Sequence, residues 1–184
     1  MKNIFPIIIA ILLVSCSQQQ ARKPVSQSSG SFMKESVERN KKLVAGEEKD
    51  IQEVMNSDSS IVYIPSKKGY WYHYETQNNT NDTLHPKKGD IAYFDYEVKD
   101  LTGSVIYSEI ELKPQVYRVD KENIMTGLRD GIKMMKKNEK VTFLFPSHVA
   151  YGFHGDNKQI GPNIPLIVTV TLNDFKPEET TKTE

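Results

Sequence analysis

The sequence predicts an α+β fold, in which one short α-helix covers an antiparallel β-sheet that follows an amphipathic helical arm. From Ser60 onward, most apolar segments are short runs rich in aromatic and β-branched residues, which favour strands. One helical pattern, at residues 122–132, interrupts them and carries Ile124, Leu128 and Ile132 on one side. Because an antiparallel sheet needs one face covered, we expect this helix to cover it.

Composition limits the size of the core and the classes of partner. The chain has 184 residues, of which 38% are hydrophobic, enough for a packed core of about a hundred residues but not for the whole chain. Lys and Arg together number 24, as do Asp and Glu, so no electrostatic surface for nucleic acid is expected. The single cysteine excludes an intramolecular disulfide framework and a multi-cysteine zinc site.

The N-terminus has the features of an export signal. Lys2 precedes an apolar run that is shorter than the roughly 20 residues needed to span a bilayer. The segment Leu13-Val14-Ser15-Cys16 resembles the lipobox of bacterial lipoproteins. This resemblance implies a signal peptide at residues 1–15, cleavage before Cys16 and lipidation of its thiol. Multiple acyl chains anchor stably, so we expect a lipid-anchored protein of the cell envelope. The alternatives are an uncleaved anchor or an incidental cysteine.

The following segments change in character twice before the sheet begins. Residues 16–31, rich in Ser and Gln, are predicted to be a flexible tether. Residue Ser17 carries no acidic sorting signal, which favours the outer membrane, facing the periplasm. Residues 32–58 have apolar residues at helical spacing and are interpreted as one long or two shorter amphipathic helices, weakened at Gly46 by about 1 kcal/mol. This arm is either a spacer packed on the domain or a homodimerisation arm.

Residues 60–176 are predicted to form the folded domain, and residues 177–184 a disordered tail. Turn-like segments rich in Gly, Pro, Asn and Lys separate the strand patterns. The predicted strands cover residues 61–64, 69–74, 91–98, 117–119, 141–145 and 166–172.

An ordered set of motifs in this domain resembles a known family. The motifs are Lys88-Gly89-Asp90, Tyr96, a turn ending in Gly103, Ile124-Met125-Thr126-Gly127-Leu128-Arg129-Asp130-Gly131, Pro146-Ser147-His148-Val149-Ala150-Tyr151-Gly152, and Ile160-Gly161-Pro162-Asn163-Ile164-Pro165-Leu166. Together they resemble the FK506-binding-protein (FKBP) family of peptidyl-prolyl isomerases over residues 87–176. With the lipobox and the arm, the whole chain is similar to the gliding-motility-associated isomerase lipoproteins of gliding bacteria. The resemblance implies an FKBP-like fold for the domain, in which a twisted antiparallel β-sheet wraps around one short α-helix.

The chemistry that this family carries out has modest requirements. Rotation about an X-Pro bond must overcome a barrier of ~18–20 kcal/mol because the planar amide loses resonance. No bond breaks, so no nucleophile, metal or cofactor is required. An apolar, water-poor pocket disfavours the charge-separated planar amide relative to the twisted one. A few fixed hydrogen-bond donors orient the flanking carbonyls. The partners implied are proline-containing client polypeptides of the envelope.

The resemblance assigns roles to individual residues. The implied catalytic residues are Tyr96 on the pocket wall, Met125 through its backbone N–H, and Tyr151 through its hydroxyl. The implied substrate-binding residues are Ile106, Tyr107, Gln115, Ile124, Leu128, Ile160 and Val168. Outside the motif set, each apolar member has the simpler interpretation of a core residue.

Several positions depart from the family pattern. Leu128 replaces the floor tryptophan, and aliphatic or polar residues replace phenylalanines at Ile106, Gln115 and Val168. Each lost aromatic contact is expected to cost about 1 kcal/mol at about 25 cal/mol per Å², a several-fold loss of catalytic efficiency. Gln115 admits water unless its amide is satisfied. Tyr107 replaces an aspartate and restores some aromatic surface, and residues 155–159 lengthen the loop over the pocket.

Other chemistries find little support in the sequence. The four histidines show no metal-ligand spacing with acidic partners, and no Gly-x-Ser-x-Gly motif supports hydrolase chemistry. Three functional hypotheses remain open. The chain is a prolyl isomerase that assists folding of envelope proteins, a low-turnover chaperone or binding module, or a structural lipoprotein of a motility or secretion machine. The resemblance connects the isomerase hypothesis to gliding motility.

Overall fold

A computed structural model describes residues 29–80 and 83–178, with side chains described from residue 32. The predicted signal peptide at 1–15, the lipidation site Cys16, most of the tether at 16–31 and most of the tail at 177–184 lie outside the described residues. The predicted fold class is confirmed, because one antiparallel sheet wraps around one short helix in an α+β arrangement.

After the N-terminal helix, two short α-helices interrupt the series of strands. Helix α1 covers Ser29–Ser57, and two shorter helices follow it, α2 at Glu109–Leu112 and α3 at Thr126–Met134. The strands are β1 (Ile64–Pro65), β2 (Trp71–Thr76), β3 (Ile91–Lys99), β4 (Val105–Tyr107), β5 (Gln115–Arg118), β6 (Glu139–Phe145) and β7 (Leu166–Lys176). Two 3-10 turns, Ser147–Val149 and Gly152–His154, lie between β6 and β7.

All strand pairs of the sheet are antiparallel. The order across the sheet is β1-β2-β6-β7-β3-β4, and β5 pairs with the opposite end of β3 from β4. The long pair of β3 and β7 runs from Ile91 opposite Lys176 to Lys99 opposite Ile167. This pair lies at the centre of the sheet, and the shorter strands β4 and β5 both pair with β3.

The arm is one continuous helix, which settles the choice between one helix and two. Gly46 lies inside α1, and a Cβ there would have no atom within 4 Å. Residues from Arg39 onward belong to one compact unit of the chain, so the C-terminal half of α1 is part of the same unit as the sheet. None of the helices in the described residues is sufficiently long and apolar to cross a membrane.

The ends of several predicted elements were wrong, among them the following three. The strand predicted at 61–64 contracts to Ile64–Pro65, where proline lacks an N–H to extend a ladder. The helix predicted at 122–132 begins only at Thr126, because the Glu122 carboxylate accepts the N–H of Arg118 at 3.1 Å and holds that segment in a turn. The strand predicted at 117–119 instead covers Gln115–Arg118, which lengthens the wall beside the helix.

Two glycines let helix α3 lie directly on the sheet. A Cβ on Gly127 would lie 2.6 Å from the ring of Phe145, and one on Gly131 would lie 2.7 Å from the ring of Phe143. These two rings stack on β6 with centroids 5.2 Å apart and planes 17° from parallel. The main core therefore lies between α3 and this aromatic surface, and the start of α3 is fixed at a short distance from β6.

The opposite face of the sheet has a second, smaller buried region. Leu144 is fully buried, although strand alternation points it away from Phe143 and Phe145. Ile51 of α1 is also fully buried, and Glu47, one turn earlier on the same helix face, hydrogen-bonds Ser147 at the end of β6. The C-terminal half of α1 thus covers this end of the sheet.

Candidate functional site

An open cleft of about 460 Å³ lies at the N-terminal end of α3. Its wall and floor are mostly apolar, with a few amide and hydroxyl groups at the edge. The lining residues are Phe94, Tyr96, Gln115, Asn123, Ile124, Met125, Thr126, Leu128, Ala150 and Tyr151.

Each part of the fold contributes to the cleft for a local reason. Phe94 and Tyr96 are two residues apart on β3, so they point to the same face, and their rings lie 5.7 Å apart. Residues 123–125 lead into α3, Thr126 begins it, and Leu128 lies buried in its first turn. The loop after β6 brings Tyr151 to the remaining side. Six of the ten implied site residues therefore meet in one cleft: Tyr96, Gln115, Ile124, Met125, Leu128 and Tyr151.

Two tyrosine hydroxyls in the cleft are free to bind a ligand. Within the described part of the chain, the hydroxyls of Tyr96 and Tyr151 form no hydrogen bond with a protein group. Burial, with smaller contributions from Tyr96, Asp156 and Tyr107, raises the pKa of Tyr151 to about 12. Burial also raises the pKa of Tyr96, and Tyr107 adds to the effect. Both hydroxyls are therefore protonated donors at neutral pH.

The N-terminal end of α3 supplies further donors. Met125 occupies the N-cap position, with no side-chain cap, and is largely buried. Backbone N–H groups at this end of a helix have no acceptor within the helix and carry a partial positive charge. A ligand carbonyl oxygen entering the cleft at Met125 therefore meets a donor on an apolar surface.

The polar side chain on the wall is satisfied by the protein. The side-chain amide nitrogen of Gln115 donates to the carbonyl oxygens of Leu112 at 2.6 Å and Lys113 at 3.1 Å. These bonds tie the end of α2 to β5, where Lys113 adopts a positive φ of 60°. The side-chain amide nitrogen of Gln115 is therefore satisfied within the protein. The condition under which this residue was expected to admit water, an unsatisfied amide, is not met at this nitrogen.

The other four implied site residues do not line the cleft. Tyr107, Ile160 and Val168 are buried in the main core cluster, and Ile106 packs against it. Sequence reasoning did not assign Phe94, Asn123, Thr126 or Ala150, which do line the cleft. Strand alternation from Tyr96 was the signal for Phe94, and the other three are chain neighbours of assigned residues.

The described residues show no arrangement suited to a metal. Within residues 29–80 and 83–178, no three side chains of His, Cys, Asp or Glu lie close enough to hold an ion together. What the cleft offers is an apolar wall with neutral hydrogen-bond donors, which suits an uncharged, amide-containing ligand.

An antiparallel sheet that half-wraps α3, with an apolar cleft and neutral hydrogen-bond donors at the start of that helix, defines a class of α+β folds suited to binding peptides. The family model for FKBP-type peptidyl-prolyl cis-trans isomerases matches residues 82–173, and the chain belongs to this family.

Individual relatives agree with the family. The chain is 31% identical over 88 residues to a probable FKBP-type peptidyl-prolyl cis-trans isomerase FkpA of Neisseria meningitidis, covering 47% of this chain and 32% of the relative. It is 32% identical over 91 residues to FK506-binding protein 2 of Yarrowia lipolytica, covering 49% and 63%. The chain thus spans less than two thirds of the curated relatives it matches.

Solved structures show the same fold. The crystal structure of FkpA from Escherichia coli superposes with a TM-score of 0.60 at 21% identity, covering 95% of this chain and 83% of that chain. A peptidyl-prolyl cis-trans isomerase from Pseudomonas syringae superposes with a TM-score of 0.59 at 18% identity, covering 74% and 95%. At these identities, the likeness is one of fold.

Proposed function

We propose that this protein is a peptidyl-prolyl cis-trans isomerase of the cell envelope, which accelerates rotation of X-Pro bonds in exported proteins. The observation that carries the proposal is the free, protonated hydroxyl of Tyr151, which faces an apolar cleft formed by Ile124, Met125 and Leu128. Family membership of residues 82–173 supports the same reaction.

The proposed mechanism uses binding alone. The proline ring rests on Leu128, between the rings of Phe94 and Tyr96 and the side chain of Ile124. This apolar surface stabilises the less charge-separated, twisted amide relative to the planar one. The N–H of Met125 and the hydroxyl of Tyr151 each donate to a substrate carbonyl and fix the chain on either side of the rotating bond.

A proline-isomerisation assay tests this function. The full-length protein in detergent is mixed with a chromogenic tetrapeptide carrying Leu before Pro, and the cis-to-trans rate is followed. We expect acceleration that rises linearly with enzyme and falls about tenfold in Tyr151→Phe, since removal of one transition-state donor typically costs that much or more. The matched control is Tyr63→Phe, outside the cleft. No acceleration above background at micromolar protein would refute the proposal.

Two cleft residues that depart from the family pattern, Leu128 and Gln115, favour a second function. Leu128 offers a smaller floor than an aromatic ring, and Gln115 leaves the wall without an aromatic side chain, so the cleft can hold proline-containing or extended segments with little turnover. This chaperone or binding function predicts suppression of client aggregation that survives Tyr151→Phe. A role as a structural lipoprotein of a motility or secretion machine predicts that a variant with a blocked cleft still complements a deletion strain.

We also propose that Cys16 is lipidated and anchors the protein in the outer membrane, facing the periplasm. The proposal rests on the lipobox-like segment and on Cys16 being the only cysteine. Incorporation of labelled palmitate, lost in Cys16→Ser, tests it. Gliding motility is the process to which the sequence resemblance connects the chain, and spreading of a deletion strain on agar tests that connection.

Residues 32–58 are proposed as a homodimerisation arm. Large apolar side chains of α1 are exposed, with 65% of Phe32, 60% of Met33 and 47% of Val37 accessible. Such side chains on one helix are suited to pairing with a second copy. Sedimentation of the lipid-free protein as a monomer would rule out the dimer.

A further inference from the structure

A buried carboxylate joins the N-terminal helix to the loop that carries Tyr151. Glu47 of α1 is 5% exposed, and Ser147 is 3% exposed. One carboxylate oxygen accepts the backbone N–H of Ser147 at 2.8 Å, and the other accepts its hydroxyl at 2.6 Å. The two residues are 100 positions apart in the chain, so this contact exists only in the folded protein.

The surroundings of Glu47 make this contact unusual. Among the described residues, Glu47 forms no ion pair, and its carboxylate is held by neutral donors alone. Its neighbours Glu48, Lys49 and Asp50 are exposed. Burying a carboxylate without a cation is costly unless hydrogen bonds satisfy it, so the position of Ser147 is specified by the helix rather than left to the loop.

A short, hydrogen-bonded segment of backbone joins the Glu47–Ser147 contact to the cleft. Ser147 begins the 3-10 turn Ser147–Val149, in which the N–H of Ala150 donates to the carbonyl of Ser147 at 3.0 Å. Val149 is buried, so this turn is packed as well as hydrogen-bonded. Ala150 and Tyr151 follow directly and line the cleft. A displacement of Ser147 is therefore carried to the Tyr151 hydroxyl through one turn of backbone.

We propose that Glu47 is a positioning residue for isomerisation: through Ser147, helix α1 sets the place of the Tyr151 hydroxyl in the cleft. This inference rests on the proposed isomerase function. It makes the C-terminal half of the arm part of the isomerase unit, although the family match covers only residues 82–173. It also gives α1 a route to alter the cleft when the helix is displaced.

The test is a double-mutant cycle in the full-length protein. Glu47→Ala removes both acceptors, and kcat/KM is expected to fall about tenfold, mainly in kcat, because a misplacement of about 1 Å can cost about 100-fold and a smaller shift costs less. In the Tyr151→Phe background, the same change is expected to have less than a twofold effect, because the group being positioned has gone. Glu48→Ala, an exposed neighbour on the same helix, is the matched control.

A purely structural role for Glu47 predicts a different pattern. It lowers kcat/KM by the same factor in both backgrounds and leaves the NMR signals of the Tyr151 ring unchanged in the folded protein. That result overturns the proposal. If Glu47→Ala does not fold, Ser147→Ala removes only the 2.6 Å bond and is subjected to the same cycle. If the wild-type protein has no isomerase activity, the proposed function fails. In that case, unchanged Tyr151 ring signals in Glu47→Ala relative to Glu48→Ala overturn the positioning role separately.

Discussion

The hydroxyl of Tyr107, on β4, donates a hydrogen bond to the carboxylate of Asp156, in the loop that precedes β7. The other oxygen of Asp156 accepts the N–H groups of Lys158 at 2.8 Å and Ile160 at 2.9 Å, and the N–H of Gln159 donates to the Tyr107 oxygen at 3.2 Å. The hydrogen bond raises the pKa of Tyr107. Desolvation by itself raises the pKa of Asp156, but the hydrogen bonds that its carboxylate accepts outweigh this effect and lower the pKa. The lengthened loop is thus tied to the sheet at one residue.

Tyr107→Phe should loosen this loop without unfolding the domain. The change deletes one hydroxyl and keeps the buried ring, so the amides of Lys158, Gln159 and Ile160 should exchange with solvent about fivefold to tenfold faster, as expected for loss of one hydrogen bond. Hydrogen-exchange NMR measures this effect. The control is Tyr93→Phe on β3, which should leave these amides unchanged. Equal exchange rates in wild type and Tyr107→Phe would show that the hydrogen bonds within the loop are sufficient to order it without Tyr107.

Two tyrosines should make the protein less stable at high pH. Burial raises the pKa of Tyr74 and Tyr151 to about 12, above the usual value of 10. The unfolded chain therefore loses these protons first as the pH rises, and the stability contributed by each group is complete below pH 10 and is lost between pH 10 and 12. Urea unfolding at pH 9, 10 and 11 should show a steeper decline for wild type than for Tyr74→Phe. Parallel declines would contradict the raised pKa of Tyr74.

The sequence predicts the sheet better than the contacts that hold the site. Strands β2, β3, β6 and β7 can be recognised in the sequence because aromatic and β-branched residues recur along them. This local pattern also determines which face of each strand is buried. The start of α3 was placed too early because Ile124 continues the helical spacing. In the structure, Ile124 precedes the helix and lines the cleft, so its apolar character serves the site rather than the helix.

Contacts between distant residues left no local signal. Glu47 with Ser147, and Tyr107 with Asp156, join side chains that are 100 and 49 positions apart. Glu47 is one of several charged residues on an amphipathic helix, and nothing in its spacing distinguishes it from exposed Glu48. The cleft residues could be assigned because the motif set fixes their order in the chain. Pairs that form only when the whole domain folds could not be assigned in this way.

Gln115→Phe should raise isomerase activity modestly. An aromatic side chain adds apolar surface for the proline ring, and about 40 Å² of extra contact at about 25 cal/mol per Å² corresponds to a gain of about fivefold in kcat/KM. The change also removes the bonds to Leu112 and Lys113, so a small loss of stability is expected. Gln115→Ala is the control, which loses the same bonds and gains no surface. Equal activity in both variants would exclude the wall as a determinant of efficiency.

Gly46→Ala should stabilise the protein. Gly46 lies within α1, and its added Cβ would meet no atom within 4 Å, so the variant gains helix propensity of about 0.5–1 kcal/mol without a clash. Urea unfolding measures the gain. Gly103→Ala is a matched control, because its Cβ would also have open space but its backbone φ is +86°, which disfavours alanine. Stabilisation of both variants, or of neither, would contradict this explanation.

Gly127→Ala should destabilise the domain and damage the cleft together. The new methyl would lie 2.6–2.8 Å from three atoms of the Phe145 ring, which is fully buried and stacked on Phe143, so neither partner can move aside cheaply. Overpacking of this kind costs about 1–3 kcal/mol. Relief requires that α3 lift from the sheet, and this shift would carry Leu128 and Met125 with it, so kcat/KM should fall in the fraction that remains folded.

Gly161→Ala, whose Cβ would meet only Ile164 at 3.9 Å, should retain most of its stability. Phe145→Leu combined with Gly127→Ala should recover part of the loss, because it removes the ring that the methyl strikes. If the double variant is no more stable than the sum of the single variants predicts, the close approach of α3 to β6 does not set the position of the cleft floor.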